Sequence, residues 1–165
     1  MINHQAEFTD FFQASWERCL RAVVAVVGSH QLAEDQVAEA FTKAWMSWRT
    51  VSHHPAPRAW VVRTALNTGA SWWRRRSREL PLADHDVAAP GDLASGLDAT
   101  LVTAIWRLPR RQREVIALRI FLDLDTDTIA RQLRIEAGTV RMHLSRGVAA
   151  LRHELTPHEI TEASQ

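Results

Sequence analysis

The stretch ELPLADHDVAAPGDLASGLD, residues 79–98, constrains the fold more than any other part of the chain. It holds two prolines, two glycines, five acidic residues and no basic one, and no apolar periodicity runs through it. Such a composition reads as a flexible linker rather than a packed element. It divides a chain of 165 residues into two blocks, and each block must assemble a core from short elements. The predicted boundaries are 1–78 for the first unit, 79–97 for the linker, 98–156 for the second unit and 157–165 for a short tail.

Charge separates along the same lines. Residues 1–78 are net +4, residues 79–98 net −5 and residues 99–165 net +2, which the overall net charge of +1 conceals. Nineteen of the twenty basic residues are Arg, a side chain suited to bidentate contact with phosphates and base edges. No run reaches the length of a membrane span, and the start MINHQAEFTDFF lacks the basic-then-apolar order of a signal peptide, so a cytoplasmic location is expected. The one cysteine, Cys19, lies in the apolar stretch CLRAVVAVV and reads as a buried structural thiol.

Both blocks carry apolar residues at helical spacing, and no convincing alternating strand occurs, so the predicted class is all-α. In AEDQVAEAFTKAWMSW (33–48), Val37, Phe41, Ala44, Trp45 and Trp48 share the edge expected to face the core, with Asp35, Glu39, Lys43 and Met46 opposite. RTVSHHPAP (49–57) then breaks the helix, because each proline disfavours helix at the residue before it. From Pro57 to Arg78 a second helix places Val62, Leu66, Gly69 and Trp73 inward, and Trp60, Thr64, Asn67, Thr68, Ser71 and Arg75 outward. It ends in WWRRRSR, four Arg in five residues. An aromatic, an amide and guanidinium groups on one edge point to single-stranded nucleic acid, which is held by stacking, edge hydrogen bonds and phosphate contacts.

In the second block, Pro109 opens a helix that Leu108 can staple, and Asp125 is positioned to cap a short helix carrying Ile129 and Leu133 inward. After the turn Arg134-Ile135-Glu136, the residues Val140, Leu144, Val148, Leu151 and Leu155 mark the buried edge of a further helix. Met142, Ser145 and Arg146 face outward, flanked by Arg141 and His143. Two short helices joined by a tight turn, the second exposing Arg and small polar groups, describe a helix-turn-helix whose second helix enters the major groove. Arg146 matches the O6 and N7 acceptors of guanine, Met142 suits a thymine methyl, and Arg141 and His143 suit phosphates.

With these motifs in order, the chain resembles the bacterial sigma-70 family of RNA polymerase initiation factors, in its small extracytoplasmic-function (ECF) group. Within that group it resembles the actinobacterial sigma-E-like subgroup. LPRRQREVIALRIFLDLDTDTIARQL followed by AGTVRMHLSRGVAALR is similar to region 4, which reads the upstream (minus thirty-five) promoter element. LAEDQVAEAFTKAW resembles the part of region 2 that grips the clamp of the polymerase largest subunit. PRAWVVRTALNTGASWWRRRSR resembles the part that opens and reads the downstream (minus ten) element.

The resemblance implies polymerase contacts at Asp35, Gln36, Glu39 and Lys43, and upstream-element contacts at Thr139, Arg141, Met142, His143, Ser145 and Arg146. For the downstream element and melting it implies Trp48, His53, His54, Trp60, Arg63, Asn67, Arg74, Arg75 and Arg76. It places Arg110, Arg111 and Arg113 or their neighbours at the flap of the second-largest subunit. Expected partners are core RNA polymerase, promoter DNA and, as for many ECF factors, an anti-sigma protein; no cofactor, metal, membrane span or small-molecule substrate is expected. Three features depart from the family pattern: Arg134 stands where Gly is frequent, Met142 where a small polar residue is frequent, and His53-His54 is an unfamiliar loop pair.

Two other classes compete. A stand-alone helix-turn-helix regulator would account for EAGTVRMHLSR but would bind a palindromic duplex as a dimer without polymerase. An enzyme would have to use the eight His or the run ADHDV (83–87). Asp84, His85 and Asp86 are adjacent in the linker and lack a partner at metal-ligand spacing, so no catalytic residue is assigned.

Overall fold

The computed structural model describes residues 3–79 and 99–156, the side chains of residues 70–79 excepted. Among the described residues there are eight helices and no strand: α1 (His4–Val27), α2 (His30–Met46), α3 (Trp48–Val51), α4 (Pro57–Glu79), α5 (Ala99–Trp106), α6 (Arg110–Leu122), α7 (Thr126–Leu133) and α8 (Ala137–Leu155). None is long and apolar enough to cross a membrane.

Helix ends follow local chemistry. Asn3 and Ser29 cap α1 and α2, their side chains accepting from the N–H groups of Ala6 and Leu32, each at 3.3 Å. α1 stops at Gly28, whose φ of 79° lies in the left-handed region; its N–H donates to the Val24 carbonyl at 2.8 Å. Pro109 serves as the N-cap of α6, one position earlier than a first-turn proline, because its ψ of 144° is extended.

The second half of α1 explains how the helices assemble. Ala22, Val23, Val24, Ala25 and Val26 are all buried, so this segment is apolar on every side. A helix with no polar stripe must be covered all round. α2 and α4 cover part of it, and α5 and α6 cover the rest, so the helices after residue 98 pack directly on those before residue 80; the predicted linker itself lies outside the described residues. Trp106, the last residue of α5, lies over Gly28: a Cβ there would stand 2.3 Å from the indole nitrogen. Arg113 holds Trp106 in place, its guanidinium 5.7 Å from the ring centroid and its Nη1 donating to the Trp106 carbonyl at 3.1 Å.

Cys19 is fully buried and its Sγ lies 3.8 Å from the Arg58 carbonyl, with burial pushing the thiol up to about 12. It is a packing residue with no thiolate to offer.

Several inward assignments change. Trp45 is 46% exposed, because α2 ends one residue later and the chain turns into α3; Trp48, expected on the same core-facing edge, is buried. Val148 and Leu155 are also exposed. The inward edge of α8 instead passes through Gly147, where the helix approaches α6 so closely that a Cβ would lie 3.0 Å from Cγ1 of Ile116. The burial of Val140, Gly147 and Leu151 turns Val148 and Leu155 toward solvent. The inward assignment of Trp73 and the outward ones of Ser71 and Arg75 lie outside the described side chains.

Candidate nucleic-acid interface

α7 and α8 form the helix-turn-helix. The Asp125 carboxylate accepts from the Thr128 N–H at 2.7 Å and starts α7. That bond, with a further one from the Thr128 side chain, holds the carboxyl below the usual carboxylate range. Arg134 ends α7 at φ 55° and ψ 48°, the left-handed conformation that glycine adopts without strain. Its N–H and that of Ile135 both reach the Ala130 carbonyl, which closes the turn that leads into α8.

On α8 the residues Arg141, Met142, Ser145 and Arg146 are exposed, and Thr139 and His143 are half-buried. Arg141 and Arg146 take part in no ion pair among the described residues. The outward edge thus presents two free guanidinium groups, a hydroxyl and an apolar thioether within about two helical turns. His143 differs, since its Nδ1 is buried without a hydrogen-bond partner among the described residues.

The first four helices carry the other assigned residues. Asn67 is exposed, Arg63 half-buried, and Trp60 half-buried with its ring against the core. Arg63 and Asn67, with Val62 and Leu66, line a cavity of about 160 Å3 whose other wall is Arg111, Glu114, Leu118, Gln132 and Leu133. The edge assigned to the downstream element therefore lies beside α6 and α7. The loop before α4 has His53 exposed and His54 half-buried. Arg74, Arg75 and Arg76 lie outside the described side chains.

Two assigned residues are not on the surface. Trp48 is buried in an aromatic cluster, 5.2 Å edge-on from Phe8 and 5.1 Å from Phe11 between ring centroids. Its Nε1–H donates to Glu7 at 3.3 Å, so neither face nor donor is free for a base. Gln36 is buried against α4, where the missing side chain of Gly69 leaves the space its amide fills. Asp35, Glu39 and Lys43 do lie exposed on α2, with Lys43 bridging Glu39 and the Thr68 hydroxyl, both at 3.1 Å. Met46 continues that face at 80% exposure.

On α6, Arg110 and Arg111 pair with the buried Glu114 at 3.1 and 2.7 Å, and Arg113 is occupied by Trp106. No group of three or more His, Cys, Asp or Glu side chains among the described residues could hold a metal ion.

A helix-turn-helix with a free, Arg-bearing outward edge, set on a second helical unit with an amide and Arg on its own edge, defines a DNA-binding regulatory protein. Residues 12–79 match the family "Sigma-70 region 2", and residues 99–151 match "Sigma-70, region 4". The chain is 28% identical over 157 residues to the RNA polymerase sigma-E factor of Streptomyces coelicolor, covering 93% of this chain and 89% of that one. It is 30% identical over 159 residues to the sigma-H factor of Pseudomonas aeruginosa, covering 85% and 81%. The ECF sigma factor SigW of Bacillus subtilis is 26% identical over 92% of this chain and 90% of its own. In fold the chain is similar to the sigma factor RpoE of Bartonella quintana, solved with the anti-sigma factor NepR, at a TM-score of 0.74 and 22% identity over 90% and 96% of the two chains.

The chain belongs to the sigma-70 family and is an ECF-type sigma factor, a promoter-recognition subunit. Two family regions in this order leave the stand-alone helix-turn-helix regulator without support.

Proposed function

We propose that this sigma factor holds the upstream promoter element as duplex on the outer edge of α8 and captures the melted downstream element on α4 and the loop before it. The observation that carries this is the freedom of Arg141, Met142, Ser145 and Arg146 on one edge of a helix whose other edge is core. Arg146 reads a guanine, and Arg141 contacts phosphate. Asn67 and Arg63 meet the unstacked strand, and the Arg cluster 74–76 neutralises its phosphates. Asp35, Glu39, Lys43 and Met46 form the face that docks on the polymerase clamp, with Met46 as the apolar contact.

Both elements cannot be held by the closed arrangement. Elements centred near minus thirty-five and minus ten lie about 85 Å apart along B-form DNA, at about 3.4 Å per base pair. A compact chain of 165 residues has a radius of gyration of about 15 Å, hence a breadth of about 40 Å. The α5–α8 unit therefore leaves α1 when polymerase is bound. Fully extended, the nineteen residues 80–98 reach at most about 65 Å, which is enough to supply the difference.

The direct test is run-off transcription with purified core polymerase over a genomic promoter library, with and without the chain. Promoters sharing two spaced elements should appear only with it. Binding of a palindromic duplex by a dimer in the absence of polymerase would overturn the reading.

A further inference from the structure

The turn between α7 and α8 holds a residue that its backbone does not favour. Arg134 sits at φ 55° and ψ 48°, which strains any side chain with a Cβ, at a position where Gly is frequent in the family pattern. The surroundings enforce that geometry, since the N–H groups of Arg134 and Ile135 both donate to the Ala130 carbonyl, the second at 3.1 Å. Strain of this kind collects where a side chain has a task. The Arg134 side chain is exposed and has no ion pair or hydrogen bond among the described residues. The arginines before it are all engaged. Arg107, Arg110 and Arg111 pair with acidic side chains, Arg113 donates to a carbonyl, and Arg119 and Arg131 donate to threonine hydroxyls at 2.8 and 3.1 Å. Free guanidinium groups therefore begin at the turn and continue with Arg141 and Arg146 on α8. Arg141 carries that row back toward the turn, its Nη2 lying 3.9 Å from where a Cβ of Gly138 would stand in the first turn of α8.

We propose that Arg134 is a positioning residue for the upstream duplex: its guanidinium grips a backbone phosphate at the lip of the major groove, and the turn keeps that charge although glycine would relax it. This rests on the reading of α8 as the helix that enters the groove. In a helix-turn-helix the first helix crosses the backbone and the N-terminal end of the second meets the base edges, so the turn between them passes the phosphates that edge the groove. A contact there adds affinity and fixes register but carries no base preference. Arg146 and Arg134 then have separate tasks, one reading a base pair and the other holding the register in which it is read.

The test is binding of the full chain with core polymerase to a promoter duplex recovered by run-off transcription, each phosphate flanking the upstream element being replaced in turn by an uncharged methylphosphonate. At one phosphate the replacement should weaken the wild type about fivefold and Arg134→Gly less than about twofold, as expected when both changes remove the same contact. Arg134→Gly should bind every upstream-element variant about fivefold more weakly, with a shallower salt dependence, while its thermal midpoint rises by about 2 °C. Arg134→Lys should keep most of the affinity, and Arg134→Asn, uncharged but tolerant of the left-handed region, should behave as the glycine variant does. Four results overturn the inference: Arg134→Gly binding as tightly as the wild type, a loss confined to one base pair, equal losses in the Lys and Gly variants, or weaker transcription with duplex binding unchanged, which would mean that the side chain meets a protein instead. The reading of α8 survives any of these if Arg146→Ala still alters preference at one upstream position. An Arg146→Ala chain that keeps every preference defeats both.

Discussion

The outer edge of α8 and the outer edge of α4 use the same chemical vocabulary, guanidinium groups beside small polar ones, yet the structure treats them differently. On α8 the residues Arg141, Ser145 and Arg146 face solvent, with no other described helix covering them. On α4, Arg63 and Asn67 share a cavity with side chains of α6 and α7. The difference follows from what lies behind each helix. α8 packs inward on α5, α6 and α7 and leaves its far side open. α4 belongs to a unit whose apolar helix α1 needs covering on a further side, and the helices that provide the cover reach the reading edge of α4 as well. On the proposed reading, duplex recognition is ready in the free chain, and single-strand capture waits on separation.

The seam between the units is the place to break this contrast most severely. Gly28→Val adds a side chain at positive φ and drives it into Trp106, with an expected loss of about 3 kcal/mol and a partial parting of the units. Denaturant unfolding and small-angle scattering should show a less stable, more extended chain, while binding of α8 to its duplex stays unchanged. An extended chain that also loses duplex binding would mean the two edges are not independent.

Gly69→Ala probes the covered half from inside. The new Cβ would stand within 2.3–2.7 Å of the Gln36 amide, so a loss of about 2 kcal/mol is expected, mostly recovered in the double variant with Gln36→Ala. Additive losses in that cycle would place Gln36 outside the α2–α4 contact. Arg146→Ala tests the open half: about 1–3 kcal/mol of discrimination at one upstream position should vanish with no change in thermal midpoint.

Arg134→Gly relieves the left-handed turn of the helix-turn-helix and should raise stability by about 0.5–1 kcal/mol, glycine's added chain entropy offsetting part of the gain. Asp125 gives the smallest effect, and its sign is set by its depressed pKa. Its stabilising contribution is complete above the unfolded value of about 4 and disappears as pH falls through the lower folded value. Asp125→Asn keeps the capping oxygen and should show a shallower acid loss in unfolding midpoints measured across that range.

Periodicity and capping chemistry made the helices legible. Asp125 stands at its cap, Val140 and Leu151 face inward, and the Arg-bearing edge of α8 faces out as its spacing implies. The exposed stripe Asp35, Glu39 and Lys43 is equally a matter of a helical repeat. Each of these is decided within a few residues by local geometry.

Tertiary structure decided the positions at the margins of a stripe, where an angle on a helical plot does not say which neighbour arrives. Gln36 turned inward because Gly69, thirty-three residues away, leaves room for its amide. Trp45 left the core edge it shared with Trp48 because the chain turns into α3 between them, and Glu7 accepts the indole of Trp48, which stayed inside. The apolar sequence RAVVAVV required a cover on every side, but only the assembled chain shows that the helices beyond the linker supply it. Sequence fixes what a helix must bury, since that depends on its own side chains; which surface meets that need depends on shape complementarity between segments far apart in the chain.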